Sequence, residues 1–555
     1  VADQLEIRFG TSGFRGRWGI EFTEPHVKVV TQAICDHLLE LHLDGKAVVL
    51  GYDSRLYADE VAGWCAEVLI ANGFPVHFTS RDTPTPALIY YGIEEVGEAH
   101  IAGIINCTAS HNPIEWHGIK FSPRNGCPAP PSVTSRIEEL ANSYLATSIE
   151  IESAELTTAE RNNQLLWFDP IDSYCQWILT SGQADNRIPL NHAQMREYFM
   201  DKLVVIDEMH GTGRDYFRVI LDQIGVRYEV LHGERDPELG DLHAANPEEP
   251  YINALCERVR DSGAVLGIGL DTDADRYGIV DVNGRYITPN QILASLTHFL
   301  GVDRRINGRV AVSHVSTRLC ETIAGRIKGN ESLRPFTSIS PHYMTTPDYD
   351  VLVGELGDLS SENVFTVPVG LKYIVEVPQM DRSYRLLQSP PENWRDVLLI
   401  GGEESSGLTT KGHLPDKDGI WAGLLVMDMM AHYQKSLVEI WSDVTKLYWN
   451  SHTKRLNLDV PDGVKSKFIN HFFEKFSESE NRRFADLNLI FAGGIRGKLI
   501  EMRLEDEHGG THYYVHSRPS GTEPLIRVYI ETQQESALEK IEEELELVLQ
   551  SLLTA

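Results

Sequence analysis

Two short polar stretches in this chain carry residue types that could supply a nucleophile or hold a metal ion. The first is Thr108-Ala109-Ser110-His111-Asn112-Pro113, which ends the apolar run Ile101 to Ile105 and is followed, ten residues after Ser110, by Lys120. It offers a hydroxyl nucleophile, an imidazole and an amine. The same residues also make an ordinary turn, because Asn and Ser bond their own backbone and Pro blocks a helix or central strand. The second stretch is Asp271-Thr272-Asp273-Ala274-Asp275-Arg276, after Val265 to Leu270. Alternate residues of an extended segment point the same way, so the three carboxylates are expected to converge. Three like charges at that spacing are unfavourable without a cation, and all-oxygen ligands suit Mg²⁺.

Competing motifs can be tested by position. An EF-hand loop needs Gly where Arg276 stands and Glu where Val282 stands, so it fails. A phosphatase of the haloacid-dehalogenase type, D-x-D-x-T/V, needs Thr or Val where Asp275 stands. An acidic turn with a purely structural role is the remaining alternative.

Three further stretches offer ligand-binding groups. Phe9-Gly10-Thr11-Ser12-Gly13-Phe14-Arg15-Gly16 surrounds one Arg with glycines and hydroxyls, which reads as a Gly-rich turn or as a guanidinium presented to a phosphate. Gly401-Gly402-Glu403-Glu404-Ser405-Ser406-Gly407 brackets carboxylates and hydroxyls with glycines, groups that suit sugar hydroxyls or merely solvate a loop. Arg518-Pro519-Ser520-Gly521-Thr522-Glu523, with Arg527 beyond it, forms either a phosphate cradle or a tight turn with surface arginines.

Alternating helices and strands must position these groups. The periodicity predicts helices over Pro25 to Leu41 and Ala58 to Asn72, strands over Ala47 to Leu50 and Val76 to Phe78, and a turn at Thr83-Pro84-Thr85-Pro86. This pattern implies a parallel sheet covered on both faces, with ligand loops at the strand C-terminal ends. Residues 140–200 read as a polar, helical tail and connector. Leu203 to Ile206 opens a second unit containing His210-Gly211-Thr212-Gly213, and Tyr277 to Val282 leads into the hairpin dipeptide Asn283-Gly284. Val310-Ala311-Val312 starts a third unit with Val369-Gly370-Leu371-Lys372-Tyr373-Ile374, followed by an irregular stretch from Gln379 to Asn393. A helix begins at Ile420, and Trp441 to His452 reads as a connector to the last unit. There, Leu538, Ile541, Leu545, Val548 and Leu552 form the core stripe of a closing helix.

At 555 residues the chain exceeds one core and should form about three to five domains. Acidic residues outnumber basic ones by 81 to 50, so the net charge of −31 argues against nucleic acid or an anionic membrane as partner. An anionic substrate must therefore meet local clusters of positive charge. The seven cysteines show no C-x-x-C spacing and fit reduced thiols, hence a cytoplasmic enzyme. The N-terminus has no signal pattern, and the run Ile420 to Met430 is too short and too polar, with Gly423 and Asp428, to span a membrane.

Taken in order, TASHNP with its Lys, DTDADR, GGEESSG and RPSGTEPLIR resemble the loops of the α-D-phosphohexomutase superfamily, the phosphoglucomutases and phosphomannomutases. The resemblance runs from Phe9 to Ile530. It implies an α/β fold of four domains around a central cleft: three topologically similar α/β mixed-sheet domains and a smaller C-terminal α+β domain with an antiparallel sheet. The expected partition is 1–200 with the phosphoserine loop, 201–307 with the metal loop, 308–437 with the sugar loop and 438–555 with the phosphate loop.

It further implies that Ser110 is the phosphoryl carrier, and that Asp271, Asp273 and Asp275 hold Mg²⁺ together with a phosphate oxygen on Ser110. Arg15 and Arg276 would flank the reacting phosphate, and Lys120 with His111 would handle the proton of the substrate hydroxyl. Glu403 and Ser405 would read the sugar, and His210 and Lys372 would line the cleft. Arg518, Ser520, Gly521, Thr522 and Arg527 would grip the phosphate that is not reacting. The implied activity is interconversion of glucose 1-phosphate and glucose 6-phosphate, with hexose 1,6-bisphosphate as intermediate and activator.

Mannose or glucosamine phosphates, or net synthesis of a hexose 1,6-bisphosphate, are nearer alternatives. A phosphosugar-binding protein without turnover and a phosphatase are more distant ones. Partners are small hexose phosphates, in a monomer or a dimer. The chain departs from the family at His117, where Asn is frequent, and at Ala274, where Gly is common. Its sugar loop lacks the His of the mannose-type GEMSGH, which favours glucose phosphates.

Overall fold

The computed structural model describes residues 6–10, 13–147, 149–183, 185–240, 242–328, 349–353, 364–375, 398–478, 482–510, 512–520 and 524–554. They fall into two compact units, one within Val1–Pro289, Gly370–Met380 and Pro391–Val438, the other within Asn290–Val369, Asp381–Pro390 and Glu439–Ala555.

In the first unit, the parallel strands Ile101–Cys107, Ala47–Tyr52, Val76–Thr79 and Leu165–Phe168 lie side by side. The antiparallel strands Trp116–Pro123, Gly13–Arg17 and Phe9–Gly10 extend the sheet to seven. Every residue of Ile101–Cys107 is buried, as a strand covered on both faces requires. Helices Glu24–Glu40 and Ala58–Ala71 bury Val30, Ile34, Val61 and Cys65 against this sheet.

A second sheet of five strands orders Arg285–Ile287, Tyr277–Asp281, Leu266–Leu270, Leu203–Asp207 and Arg227–Leu231. Asn283 and Gly284 both take positive φ in the turn before Arg285, as the hairpin dipeptide predicts. The hairpin Leu398–Gly402 with Leu408–Thr410 and the helix Gly419–Tyr433 also belong to this unit.

The second unit contains the parallel pair Arg309–Ser313 and Val364–Val367 and an antiparallel sheet. That sheet runs Tyr349–Val353, Leu487–Ile495, Leu499–Glu505, His512–Pro519, Leu525–Thr532 and His452–Asp459. The closing helix Glu535–Thr554 buries Ile541, Leu545 and Val548 against one face of it. The fold class is thus α/β, with mixed-sheet layers and a C-terminal antiparallel sheet.

Two expectations are corrected. Residues 140–200 include the strand Leu165–Phe168, which pairs with Val76–Thr79 at the sheet edge, where Leu166 and Trp167 are exposed; its apolar run is only four residues long, between polar neighbours. The connector at Trp441 lies within the helix Leu437–Leu447. The stretch from Gln379 to Asn393 and residues Thr11, Ser12, Gly521 and Thr522 lie outside the described residues.

Candidate active site

Ser110 follows directly from the central strand Ile101–Cys107 and is 1% exposed. Its φ of 53° puts a non-glycine residue in the left-handed region, a conformation that costs about 1–3 kcal/mol and persists only where the surroundings enforce it. Its amide donates to Thr108 Oγ1 at 2.8 Å, and its hydroxyl donates to Asp271 Oδ2 at 2.9 Å, with His111 Nδ1 3.3 Å away. The serine loop and the acidic loop, far apart in sequence, thus meet at one oxygen pair.

The acidic loop joins Leu266–Leu270 to Tyr277–Asp281, whose ends pair as Leu270 with Tyr277. The segment is a tight turn rather than the extended strand expected: the Ala274 amide donates to the Asp271 carbonyl, and Ala274 has φ 53°. Glycine would take this left-handed position without strain. The carboxylates converge all the same, with one oxygen from each of Asp271, Asp273 and Asp275 within 4.8 Å of the others.

All three acids are buried. Asp273 Oδ2 accepts from Lys120 Nζ at 2.5 Å and from Thr85 Oγ1 at 2.5 Å, and Asp275 Oδ2 accepts from Lys120 Nζ at 2.7 Å. Asp273 Oδ1 and Asp275 Oδ1 are buried without a hydrogen-bond partner among the described residues. Buried carboxylate oxygens are costly unless something cationic completes them, so this donor set fits a small, hard divalent ion. Burial, then repulsion from Asp275 and Asp273, pushes the Asp271 carboxyl well up. Burial also opposes the charge on Asp275, but Lys120, Lys417 and Arg276 outweigh it and hold that carboxyl down.

The basic groups come from neighbouring strands. Arg15 pairs in register with Gly118 and Asn106 with Lys120, so Arg15 and Lys120 share one sheet face beside the Ser110 loop. Gly118 makes this possible: a Cβ there would lie 2.5 Å from the Thr108 carbonyl, 2.8 Å from that of Phe14 and 3.1 Å from Arg15 Cγ. Arg15 Nη1 reaches Asn112 Oδ1 at 2.7 Å. Burial and the nearby Arg276 push the Arg15 guanidinium down to about 10. Burial opposes the Lys120 charge too, but Asp273 and Asp275 hold its ammonium up. His111 is kept neutral, well below its usual range, by burial and by Arg276, Arg15 and Lys417.

Sequence reasoning missed Lys417, whose Nζ lies 3.0 Å from Asp275 Oδ2. In sequence it is one more lysine between two aspartates, and the only signal was its place just before the N-cap Asp418 of the helix Gly419–Tyr433. Neighbouring Asp416 is buried and pushed up to about 7 by that burial, against the pull of Lys417. Thr85 and Asn106 were also missed; Asn106 Nδ2 donates to Thr85 Oγ1 at 2.8 Å and so braces Asp273.

Glu403 Oε1 accepts from the Gly370 amide at 2.7 Å, which brings the loop between Leu398–Gly402 and Leu408–Thr410 against the segment bearing buried Lys372. Ser405 is half-buried in the same loop. His210 Nδ1 donates to the Glu234 carbonyl at 2.9 Å, and its loop backs the acidic turn: the Thr212 amide donates to the Thr272 carbonyl at 2.8 Å. Gly211 permits that approach, since a Cβ there would lie 2.9 Å from the carbonyl oxygens of Asp271 and Thr272.

In the other unit, Arg518 and Arg527 are not loop residues. They face each other across the strands His512–Pro519 and Leu525–Thr532, with Ser520 just beyond. That register presents two guanidinium groups from one sheet face.

A buried serine on a strained turn, three converging carboxylates and flanking Arg and Lys, on an α/β scaffold, are the groups that phosphoryl transfer would need. Comparison with known proteins narrows the reading. Family models match in chain order: phosphoglucomutase/phosphomannomutase α/β/α domain I at residues 6–147, domain II at 190–284, domain III at 350–448 and the C-terminal domain at 494–548. The chain belongs to the phosphoglucomutase/phosphomannomutase family, and it is an isomerase of the phosphohexomutase type.

Similar curated proteins include a phosphoglucomutase from Komagataeibacter xylinus, 25% identical over 96% of this chain and 88% of that protein. A phosphoglucosamine mutase from Acetivibrio thermocellus is 26% identical over 98% of this chain and 99% of its own. Among solved structures, the phosphoglucomutase parafusin from Paramecium in its open form superposes with a TM-score of 0.71 at 19% identity, covering 100% of this chain and 95% of that one. Among the described residues, no helix is long and apolar enough to cross a membrane.

Proposed function

We propose that this protein interconverts glucose 1-phosphate and glucose 6-phosphate through phosphoserine at Ser110 and a glucose 1,6-bisphosphate intermediate. The observation that carries the reading is the 2.9 Å contact between Ser110 Oγ and Asp271 Oδ2 inside the three-carboxylate cluster. Mg²⁺ held by Asp271, Asp273 and Asp275 would neutralise charge on the transferring phosphoryl group. Arg15 and Arg276 flank that group, and Lys120 and Lys417 add positive charge around it.

In the transfer, the free hydroxyl oxygen of the sugar phosphate forms a bond to phosphorus as the bond from phosphorus to Ser110 Oγ breaks. The hydroxyl proton leaves the sugar and an equal proton is gained at Oγ. His111, neutral and 3.3 Å from Oγ, supports a role in passing it. The bisphosphate then turns end for end and its other phosphate returns to Ser110. Glu403 and Ser405 would bind the sugar hydroxyls. Arg518, Ser520, Gly521, Thr522 and Arg527 would hold the phosphate that is not reacting, in either orientation.

Glucosamine phosphate is a second reading, favoured by the glucosamine-type relative at 26% identity. Parallel assays with glucose, mannose and glucosamine phosphates decide between them. A cytoplasmic setting accompanies either reading, supported by seven cysteines that are all free thiols. The mechanism is tested by Ser110→Ala. Incubation with glucose 1,6-bisphosphate should add one phosphoryl group to the wild-type peptide bearing Ser110 and none to the variant, whose mutase activity is lost while Mg²⁺ binding persists. Full mutase activity in the variant would sink the mechanism.

A further inference from the structure

Ser110 occupies a backbone conformation that it would not choose, in a loop whose carbonyls point inward. The group those carbonyls converge on is Arg55, which lies just after the strand Ala47–Tyr52 and is fully buried, at 0% exposure. A guanidinium has five N–H donors in a fixed planar fork. In Arg55 all five are matched. Nη2 donates to the Ser110 carbonyl at 2.5 Å and the Asn112 carbonyl at 2.6 Å. Nη1 donates to the carbonyls of Pro113 at 2.8 Å and Trp116 at 3.3 Å. Nε donates to Asp53 Oδ2 at 3.2 Å, and Asp53, also fully buried, supplies the opposite charge.

Asp53 extends the arrangement to the front of the loop. Its Oδ2 accepts from Thr108 Oγ1 at 2.6 Å, and that same Oγ1 accepts from the Ser110 amide at 2.8 Å. Ser110 is therefore gripped on both sides of its α-carbon, at its amide through Thr108 and Asp53 and at its carbonyl through Arg55. With both peptide planes fixed, φ is held at 53° and Oγ stays on the Asp271 side. None of these residues offers a group to a sugar phosphate, since every donor of Arg55 is already used.

We propose that Arg55, with Asp53 as its counter-ion, is the positioning residue for the phosphoryl carrier: it holds the Ser110 loop in its strained conformation so that Oγ sits in line for transfer. This rests on the reading of Ser110 as the carrier. A lysine at the same place keeps the charge next to Asp53, but a compact ammonium with three donors cannot gather four carbonyls lying on two sides of a planar fork.

The test compares full-length wild type, Ser110→Ala, Arg55→Lys and Thr108→Val. It follows phosphoenzyme formation from glucose 1,6-bisphosphate by intact-mass time course, and measures kcat and KM per phosphorylatable site. Misplacing the reacting oxygen by about 1 Å is expected to slow phosphorylation and kcat of Arg55→Lys by about a hundredfold. KM should change by less than about threefold, because Glu403 and Ser405 are untouched. Thr108→Val, which removes only the hydroxyl, should shift in the same direction and decides the matter if Arg55→Lys does not fold. Wild-type phosphorylation rate and kcat in the folded variant would overturn the proposal. So would a loss confined to the fraction of active sites, with unchanged turnover per site. Phosphorylation that persists in Ser110→Ala would instead remove the carrier reading beneath it.

Discussion

Thr85→Val separates the proposed metal-binding role of the acidic turn from its structural role. Thr85 is buried, and its Oγ1 donates to Asp273 Oδ2 at 2.5 Å while accepting from Asn106 Nδ2 at 2.8 Å. Valine keeps the shape and removes both bonds. The lost bond to a charged acceptor is worth about 1.5–3 kcal/mol, and the Asn106 donor left unsatisfied in the interior costs about 1–3 kcal/mol more. The burden on Asn106 is real because its Oδ1 already has no partner among the described residues.

Removing a group that orients a ligating carboxylate typically weakens metal binding by about 10–100-fold. The expected result is therefore a destabilised chain that binds Mg²⁺ about 10–100-fold more weakly by calorimetric titration. The double variant Thr85→Val/Asn106→Leu should regain part of the stability, since the unsatisfied donor is gone, but none of the affinity. A single variant with wild-type Mg²⁺ affinity would refute the idea that Thr85 braces a metal ligand. Recovery of affinity in the double variant would refute it equally.

Other outcomes follow from the same geometry. Burial, reinforced by Asp215 and only partly offset by Arg214, pushes the Glu208 carboxyl up to about 8. The native chain then keeps a proton that the unfolded chain releases near its ordinary carboxylate pKa. Stability from this group is thus full below that lower pKa and is lost as pH rises through about 8, with a slope of at most about 1.4 kcal/mol per pH unit. Glu208→Gln should flatten that segment of a denaturation-midpoint profile, and an unchanged slope would contradict the assignment. Ala274→Gly relieves a left-handed residue while loosening the unfolded chain, so stability should change by less than about 1 kcal/mol with activity retained. Gly211→Ala forces a methyl to 2.9 Å from two carbonyl oxygens of the metal turn. It should cost about 1–3 kcal/mol in melting experiments and weaken Mg²⁺ binding, and wild-type behaviour would show the turn to be more yielding than its packing implies.

Much of the scaffold was legible because it follows local rules. The buried strand Ile101–Cys107, the hairpin dipeptide Asn283-Gly284 and the stripe of the closing helix announce themselves through apolar runs, turn chemistry and the 3.6-residue period. The edge strand Leu165–Phe168 was not legible, since four apolar residues are too few to distinguish a strand from a turn of helix by periodicity. The acidic motif pointed to a metal, but by a wrong local geometry: extended spacing was assumed where a left-handed Ala274 folds the segment into a turn.

The residue types on which the proposed phosphoryl transfer rests, and their order along the chain, are visible without coordinates, because each loop carries its own chemistry in a few adjacent letters. Which groups support them could not. Arg55, Thr85 and Lys417 meet Ser110 or the aspartates, and Asn106 meets Thr85, only after separate segments of the chain are laid side by side. A lysine, a threonine or an arginine looks the same in sequence whether it faces water or a buried carboxylate. Its partner is set by sheet register and by burial, and both are properties of the packed chain.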